Sequence, residues 1–264
     1  VPKAEDLGLL YLAKERFNEQ KATFWLMRGT FVRSWRLTGL TNLMMSMISD
    51  PDFVHAVARM TLDFNLAQLD LLVEAGLDVL VIEDDIATTN MPLISPEHFT
   101  SFVNPYNRQL VEKAHAKGLK VVRHSDGNLW PLMDILIETG YDGINPLEPQ
   151  AGMHMKKVKA YCGDKLCLLG NIDCVDLLPS GTPEQVEQAV IQTIEDGADG
   201  GGLAVRDRHS TAPERSFRPA RDEHRCVCAL SGGECLDLGA SGTAAQPTGR
   251  RQPQRRRGVQ SHTV

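Results

Sequence analysis

The sequence predicts an α/β protein: a (β/α)8 TIM barrel that is incomplete, with about six strands present. Three observations predict it. Short apolar runs alternate with helical stretches through short connections, which calls for a parallel sheet with crossover helices. The runs are near-continuously apolar, as in DVLVI at 78–82, so they are buried on both faces. Each run ends on polar residues, and a barrel gathers its chemistry at those ends. No glycine-rich dinucleotide loop follows the first strand. Both ends of the chain look cut, which favours a barrel lacking pieces over an open sheet.

Residues 1–20 predict a helix with Leu9, Leu10, Leu12 and Ala13 on its apolar side. Residues 22–27, ATFWLM, predict a strand ending at Arg28-Gly29, followed by a loop carrying Trp35 and Arg36. Residues 40–48 predict a short buried helix whose methionines fill the core. Asp50 as cap and Pro51 in the first turn start a long helix that ends at Ala75-Gly76. The strand at 78–82 delivers Glu83, Asp84 and Asp85. Ser95-Pro96-Glu97 starts a helix running to about Lys117. The strand at 119–123 lies between Gly118 and the turn formers Gly127 and Asn128, and opens onto His124, Ser125 and Asp126. A helix at 129–139 stops at Gly140, and a short strand at 143–146 ends around Asn145 and Glu148. A helix at 153–161 precedes the strand at 165–169, which delivers Gly170, Asn171, Asp173 and Cys174. Thr182-Pro183-Glu184 starts a helix closed at Gly197, and residues 201–205 open one more strand.

The barrel is expected to occupy 1–205 and a low-order, arginine-rich tail 206–264. In the tail lysine vanishes, arginine recurs up to Arg255-Arg256-Arg257, and no helical or strand period survives. The readings are a disordered basic extension, a nucleic-acid-binding arm, or residues from a shifted reading frame. The third is preferred because the break falls inside a strand. His224, Cys226 and Cys228 match no trusted zinc spacing.

Composition bounds the rest. Hydrophobic residues make up 42% and charged residues 23%, as in ordinary soluble proteins. The net charge of -6 argues against nucleic acid as main partner. No apolar run is long enough to span a bilayer, and no signal segment follows Val1, so the cytoplasm is the expected compartment. Six cysteines in a chain this long do not make a disulfide scaffold.

The strand tips present Arg28; Glu83, Asp84 and Asp85; His124 and Asp126; Asn145 and Glu148; Asn171, Asp173 and Cys174. In a parallel barrel these converge on one cavity. One chemistry is a zinc site, with His124 and Cys174 joined by Glu148 or by a carboxylate from Asp84 or Asp126, leaving a position open for a thiol or methyl group. The other is metal-free: Arg28 anchors a substrate carboxylate while an aspartate stabilises a protonated ring nitrogen. Asp84, Asp85 and Asp126 are the expected catalytic carboxylates; Arg28, Asn145 and Asn171 are expected to bind substrate. The bland alternatives are a buried small hydrophobe for Cys174, a helix-start carboxylate for Glu148 and a helix cap for Asp126.

DDIATTNMPLISPEHFTSFVNPY (84–106), HSDGN (124–128), NPLEPQAGM (145–153) and GNIDC (170–174) together resemble the uroporphyrinogen decarboxylase superfamily, over residues 24–205. The resemblance implies a (β/α)8 barrel with its site in the C-terminal mouth. Some members decarboxylate uroporphyrinogen without a cofactor. Their arginine-rich motif would lie before Val1, their active-site tyrosine falls near Trp35, and Cys174 stands where their Gly-Asn-Leu-Asp-Pro motif has proline. Others are corrinoid-dependent methyltransferases that hold zinc with a His-x-Cys pair and a later cysteine. Here the pair reads His124-Ser125-Asp126, and the later cysteine would fall beyond Val205. His124 tilts the expectation to methyl transfer to or from a corrinoid on a partner protein, with zinc at the mouth and a small-molecule methyl donor. The alternatives are cofactor-free uroporphyrinogen decarboxylation, in tetrapyrrole biosynthesis, and an inactive remnant of such an enzyme.

Overall fold

The computed structural model describes residues 2–17 and 20–207; the expectations for the tail from 208 onward, Cys226 and Cys228 included, lie outside the described residues. Six parallel strands form one sheet in the order of the chain: β1 (Phe24–Arg28), β2 (Val79–Glu83), β3 (Lys120–His124), β4 (Gly143–Asn145), β5 (Cys167–Ile172) and β6 (Leu203–Asp207). An order without reversal is that of a barrel wall, not of a doubly wound sheet. The result is an incomplete α/β barrel.

Period-two alternation splits the strand residues between two cores. Leu80, Ile82, Val121, Ile144, Leu168 and Leu203 face the helices and join the main hydrophobic cluster. Val79, Val81, Val122, Leu169 and Ala204 form a separate small cluster on the other, inner face. Phe24 and Leu26 share that inner face through their register with Val79 and Val81, yet they are 38% and 42% exposed.

The long helix α4 (Pro51–Glu74) starts as its sequence dictates. The Asp50 carboxylate accepts from the Phe53 N–H at 3.2 Å, and Pro51 sits in the first turn. It buries Val54, Leu62, Leu69 and Leu72 against the sheet side, while Met60 stays exposed. Helix α10 (Pro183–Gly197) carries a complete capping box: Thr182 accepts from the Gln185 N–H, and Gln185 accepts from the Thr182 N–H.

Three expectations change. The stretch around Trp35 is not a loop but helix α2 (Thr30–Thr38). Its local N-cap is Gly29, which offers no side-chain acceptor; the missing acceptor is Asp84, whose Oδ1 takes the Val32 N–H at 2.7 Å. The long helix expected after Ser95 is two, α5 (Pro96–Phe102) and α6 (Asn104–Ala116), because Pro105 has no N–H to continue the ladder. The last strand runs on through Arg206 and Asp207.

The rim at the strands' N-terminal ends is tied by two aspartates. Asp78, just before β2, accepts from the Thr23 N–H (2.7 Å), the Thr23 hydroxyl (2.7 Å) and Lys14 (2.9 Å). Asp142, just before β4, accepts from the Val121 N–H (2.8 Å), Lys120 (2.8 Å) and His115. Each carboxylate thereby fastens the start of its own strand to the strand before it. No described helix is long and apolar enough to cross a membrane.

Candidate metal centre at the barrel mouth

Strand register sets the site. Arg28, Glu83, His124 and Asn145 are successive register partners across β1 to β4, so all four stand in one rank on the inner face, at the C-terminal end. Asn171 and Arg206 form a further inward pair on β5 and β6. Below the rank lie the apolar residues of the inner cluster, Val81 and Val122 among them.

The chain leaves β2 with Glu83 inward, Asp84 outward and Asp85 inward again. Alternation thus assigns the two neighbouring aspartates opposite jobs. Asp84 is fully buried among helices. Its carboxylate accepts from Val32 N, from the Asn107 amide (2.9 Å) and from Arg123 (3.3 Å), whose guanidinium also donates to the Asp84 carbonyl. Arg123 is equally buried, and its guanidinium lies 6.0 Å from the Tyr141 ring centroid. Asp84 is therefore a brace joining β2, β3, α2 and α6, away from the mouth, and not the expected catalytic carboxylate.

Asp85 turns to the mouth. One donor atom each from Asp85, His124 and Asp126 lies within 4.8 Å of the others. His124 is buried and its Nε2 is 3.9 Å from Asp85 Oδ1. Asp85 Oδ1 also accepts from the Asp126 N–H at 3.1 Å, which holds the two carboxylate-bearing segments together. On the far side of the ring, His124 Nδ1 is 2.6 Å from Asn145 Oδ1.

The loops around this trio are laced together. The Ser125 hydroxyl accepts from Ile86 N (3.1 Å), and Ser125 N donates to the Asn145 carbonyl (3.0 Å). Gly127 N donates to Glu148 Oε2 (2.8 Å), and Asn128 N donates to the Thr88 carbonyl (2.8 Å). Gly127 has φ +90°, and a Cβ there would come within 2.5 Å of the Thr88 carbonyl oxygen, so the close approach needs glycine.

The other predicted residues fall elsewhere. Glu148 and Cys174 are outside the metal-capable trio; Glu148 is turned to the Gly127 amide instead. Both line a small adjoining cleft with Asn171 and Arg206. Asn171 braces a loop: its amide donates to the Leu147 and Met153 carbonyls and its oxygen accepts from Met155 N. Asp173 accepts from the Val175 and Asp176 amides as a turn cap. Burial pushes its carboxyl up, but these bonds outweigh it, and the carboxyl rests below its ordinary value. Arg28 is half-exposed in the mouth, with Nε 3.4 Å from Glu83 Oε2. Arg206 lies past Val205, where the sequence pattern ends the strand, so its inward place follows only from the longer β6.

The sequence profile of the family described as uroporphyrinogen decarboxylase (URO-D) matches residues 11–214. Among curated proteins, a methylated-thiol–coenzyme M methyltransferase of Methanosarcina mazei is 26% identical over 208 residues, covering 79% of this chain and 54% of that protein. A methylcobamide:CoM methyltransferase of the same organism is 25% identical, covering 72% of this chain and 54% of that protein. A uroporphyrinogen decarboxylase of Chlorobium luteolum is 31% identical over 125 residues, covering 46% of this chain and 32% of that protein. The chain thus spans about half the length of the curated methyltransferases it matches. A solved methyltransferase structure from Methanosarcina mazei superposes with a TM-score of 0.64 at 22% identity, covering 77% of this chain and 58% of that one, which shows a shared fold.

Proposed function

The chain belongs to the uroporphyrinogen decarboxylase family, and from that premise we propose that its intact form transfers a methyl group to or from a corrinoid carried on a partner protein, at a zinc centre built on His124. The observation that carries this is the trio of Asp85, His124 and Asp126 at the mouth. One imidazole nitrogen and two carboxylate oxygens are donors that zinc accepts, and three protein ligands leave a fourth position free, as in catalytic zinc sites. The methyltransferase names of several relatives support the same reading.

Bound there, zinc would act as a Lewis acid and lower the pKa of a bound thiol or water. The chain's own groups do the rest. Asn145 orients the His124 ring, and the Asp126 N–H fixes the Asp85 carboxylate beside it. Arg28, on the same rank, offers a guanidinium fork for an anionic end of a small substrate. The apolar inner cluster lies beneath these groups.

The test is zinc content. The full chain equilibrated with zinc and then desalted should retain about one equivalent. His124→Ala should retain none. A chain that retains no zinc, or an intact homologue fully active when free of it, defeats the reading.

A second reading rests on the match to a uroporphyrinogen decarboxylase. In it Arg28 anchors a substrate carboxylate, and Asp85 or Asp126 stabilises a protonated pyrrole. Formation of coproporphyrinogen from uroporphyrinogen, unaffected by chelators, would select it.

A further inference from the structure

Asn145 makes a single side-chain bond within hydrogen-bond distance, and it goes to the imidazole. Its Oδ1 lies 2.6 Å from His124 Nδ1, while its amide nitrogen is buried with no acceptor among the described residues. The side chain is 1% exposed, and its register partner on β3 is His124 itself. A carbonyl oxygen can only accept, so this contact requires the proton on Nδ1. In the neutral ring the lone pair is then on Nε2, which is the nitrogen facing Asp85 at 3.9 Å. The opposite tautomer would turn an N–H toward the two carboxylates and leave no lone pair there for a cation.

From this we propose, on top of the zinc reading, that Asn145 is a positioning residue: it holds the proton on Nδ1 of His124 and so presents Nε2 as the metal-ligating atom. Nothing covalent changes; the residue selects one of two imidazole tautomers and fixes the ring plane. The backbone supports it, since the Ser125 N–H donates to the Asn145 carbonyl at 3.0 Å and keeps the two strand ends aligned. The buried amide N–H₂ group remains available to an acceptor atom brought in by a ligand.

Two readouts test it on the full-length chain. In the first, nitrogen-15 spectra of histidine-labelled protein assign the His124 ring by its loss in His124→Ala. The ring should show a protonated Nδ1, with zinc moving the Nε2 signal. A ring protonated only on Nε2, or zinc moving Nδ1, overturns the proposal. In the second, zinc affinity is measured by competition with a chromophoric chelator. Asn145→Ala should weaken binding by about 10-fold or more, the range for loss of a partner behind a metal-ligating histidine. Asn145→Asp keeps an acceptor at the same place and should bind at least as tightly as the wild type. Equal affinity in Asn145→Ala, or equal loss in Asn145→Asp and Asn145→Ala, overturns it. Should Asn145→Ala not fold, Asn145→Asp and the wild-type ring spectrum decide. Wild-type protein that binds no zinc defeats the zinc reading instead, and the metal-free spectrum still says which nitrogen carries the proton.

Discussion

Arg123 and Asp84 show how one step along a strand separates architecture from chemistry. Both are fully buried, and they form an ion pair at 3.3 Å. Removing one partner of such a pair leaves an uncompensated charge out of water, at a cost of about 3–5 kcal/mol. Arg123→Met should therefore destabilise the chain by about that much in urea denaturation, with the slope of the transition unchanged. A loss within error of zero would mean the pair is not formed. The sequence presented Asp84 and Asp85 as equivalent carboxylates at a strand tip. Counting in twos from Val81 separates them: Glu83 and Asp85 turn inward, Asp84 outward. That count was available in the letters alone. Arg123 was harder to place, because an arginine inside an apolar strand becomes intelligible only with its acceptor, 39 positions away.

At the level of elements, most of the helices and strands were legible because their signals are local. Asp50-Pro51 and Thr182-Pro183 carry their own caps, and the valine-rich strands β2 and β3 follow the positive-φ glycines Gly76 and Gly118 that close the preceding helices. Helix α2 was not legible, since its capping acceptor comes from Asp84 on another element. The aspartates at the lower rim act between elements in the same way, and they titrate. Burial pushes the Asp142 carboxyl up, but hydrogen bonds from Lys120, Val121 N and His115 outweigh it and leave the carboxyl below its ordinary value. A depressed folded-state value stabilises the fold above the unfolded-state value, near pH 3.9, and that stabilisation fades as pH falls through the lower folded value. Asp142→Asn should thus flatten the acid limb of a stability-against-pH curve below about pH 4. The same limb, unaltered in the variant, would show the rim bonds to be unimportant.

The described residues form a six-stranded parallel sheet with one face packed against helices and the other carrying the inner cluster and the trio. The register of three adjacent strands places the candidate centre, so its residues could be foreseen from the barrel class. Which of them would meet could not: Cys174 and Glu148 looked as apt as Asp85, and only the path of the loops after β2 and β3 decides. Because the trio is assembled from the ends of two strands, β2 and β3, zinc should bind the folded chain better than the unfolded one. At a free zinc level of about 100 Kd the linkage is worth about 2.7 kcal/mol. The melting temperature should rise with added zinc in the wild type and stay fixed in His124→Ala, as read by circular dichroism.

Phe24 and Leu26 leave the inner face of β1 partly open to solvent, whereas Asp85, His124 and Asp126 all hang from the neighbouring β2 and β3. On the zinc reading, holding an ion and completing a reaction are therefore separable in this polypeptide. A silent turnover assay would say nothing against a loaded centre.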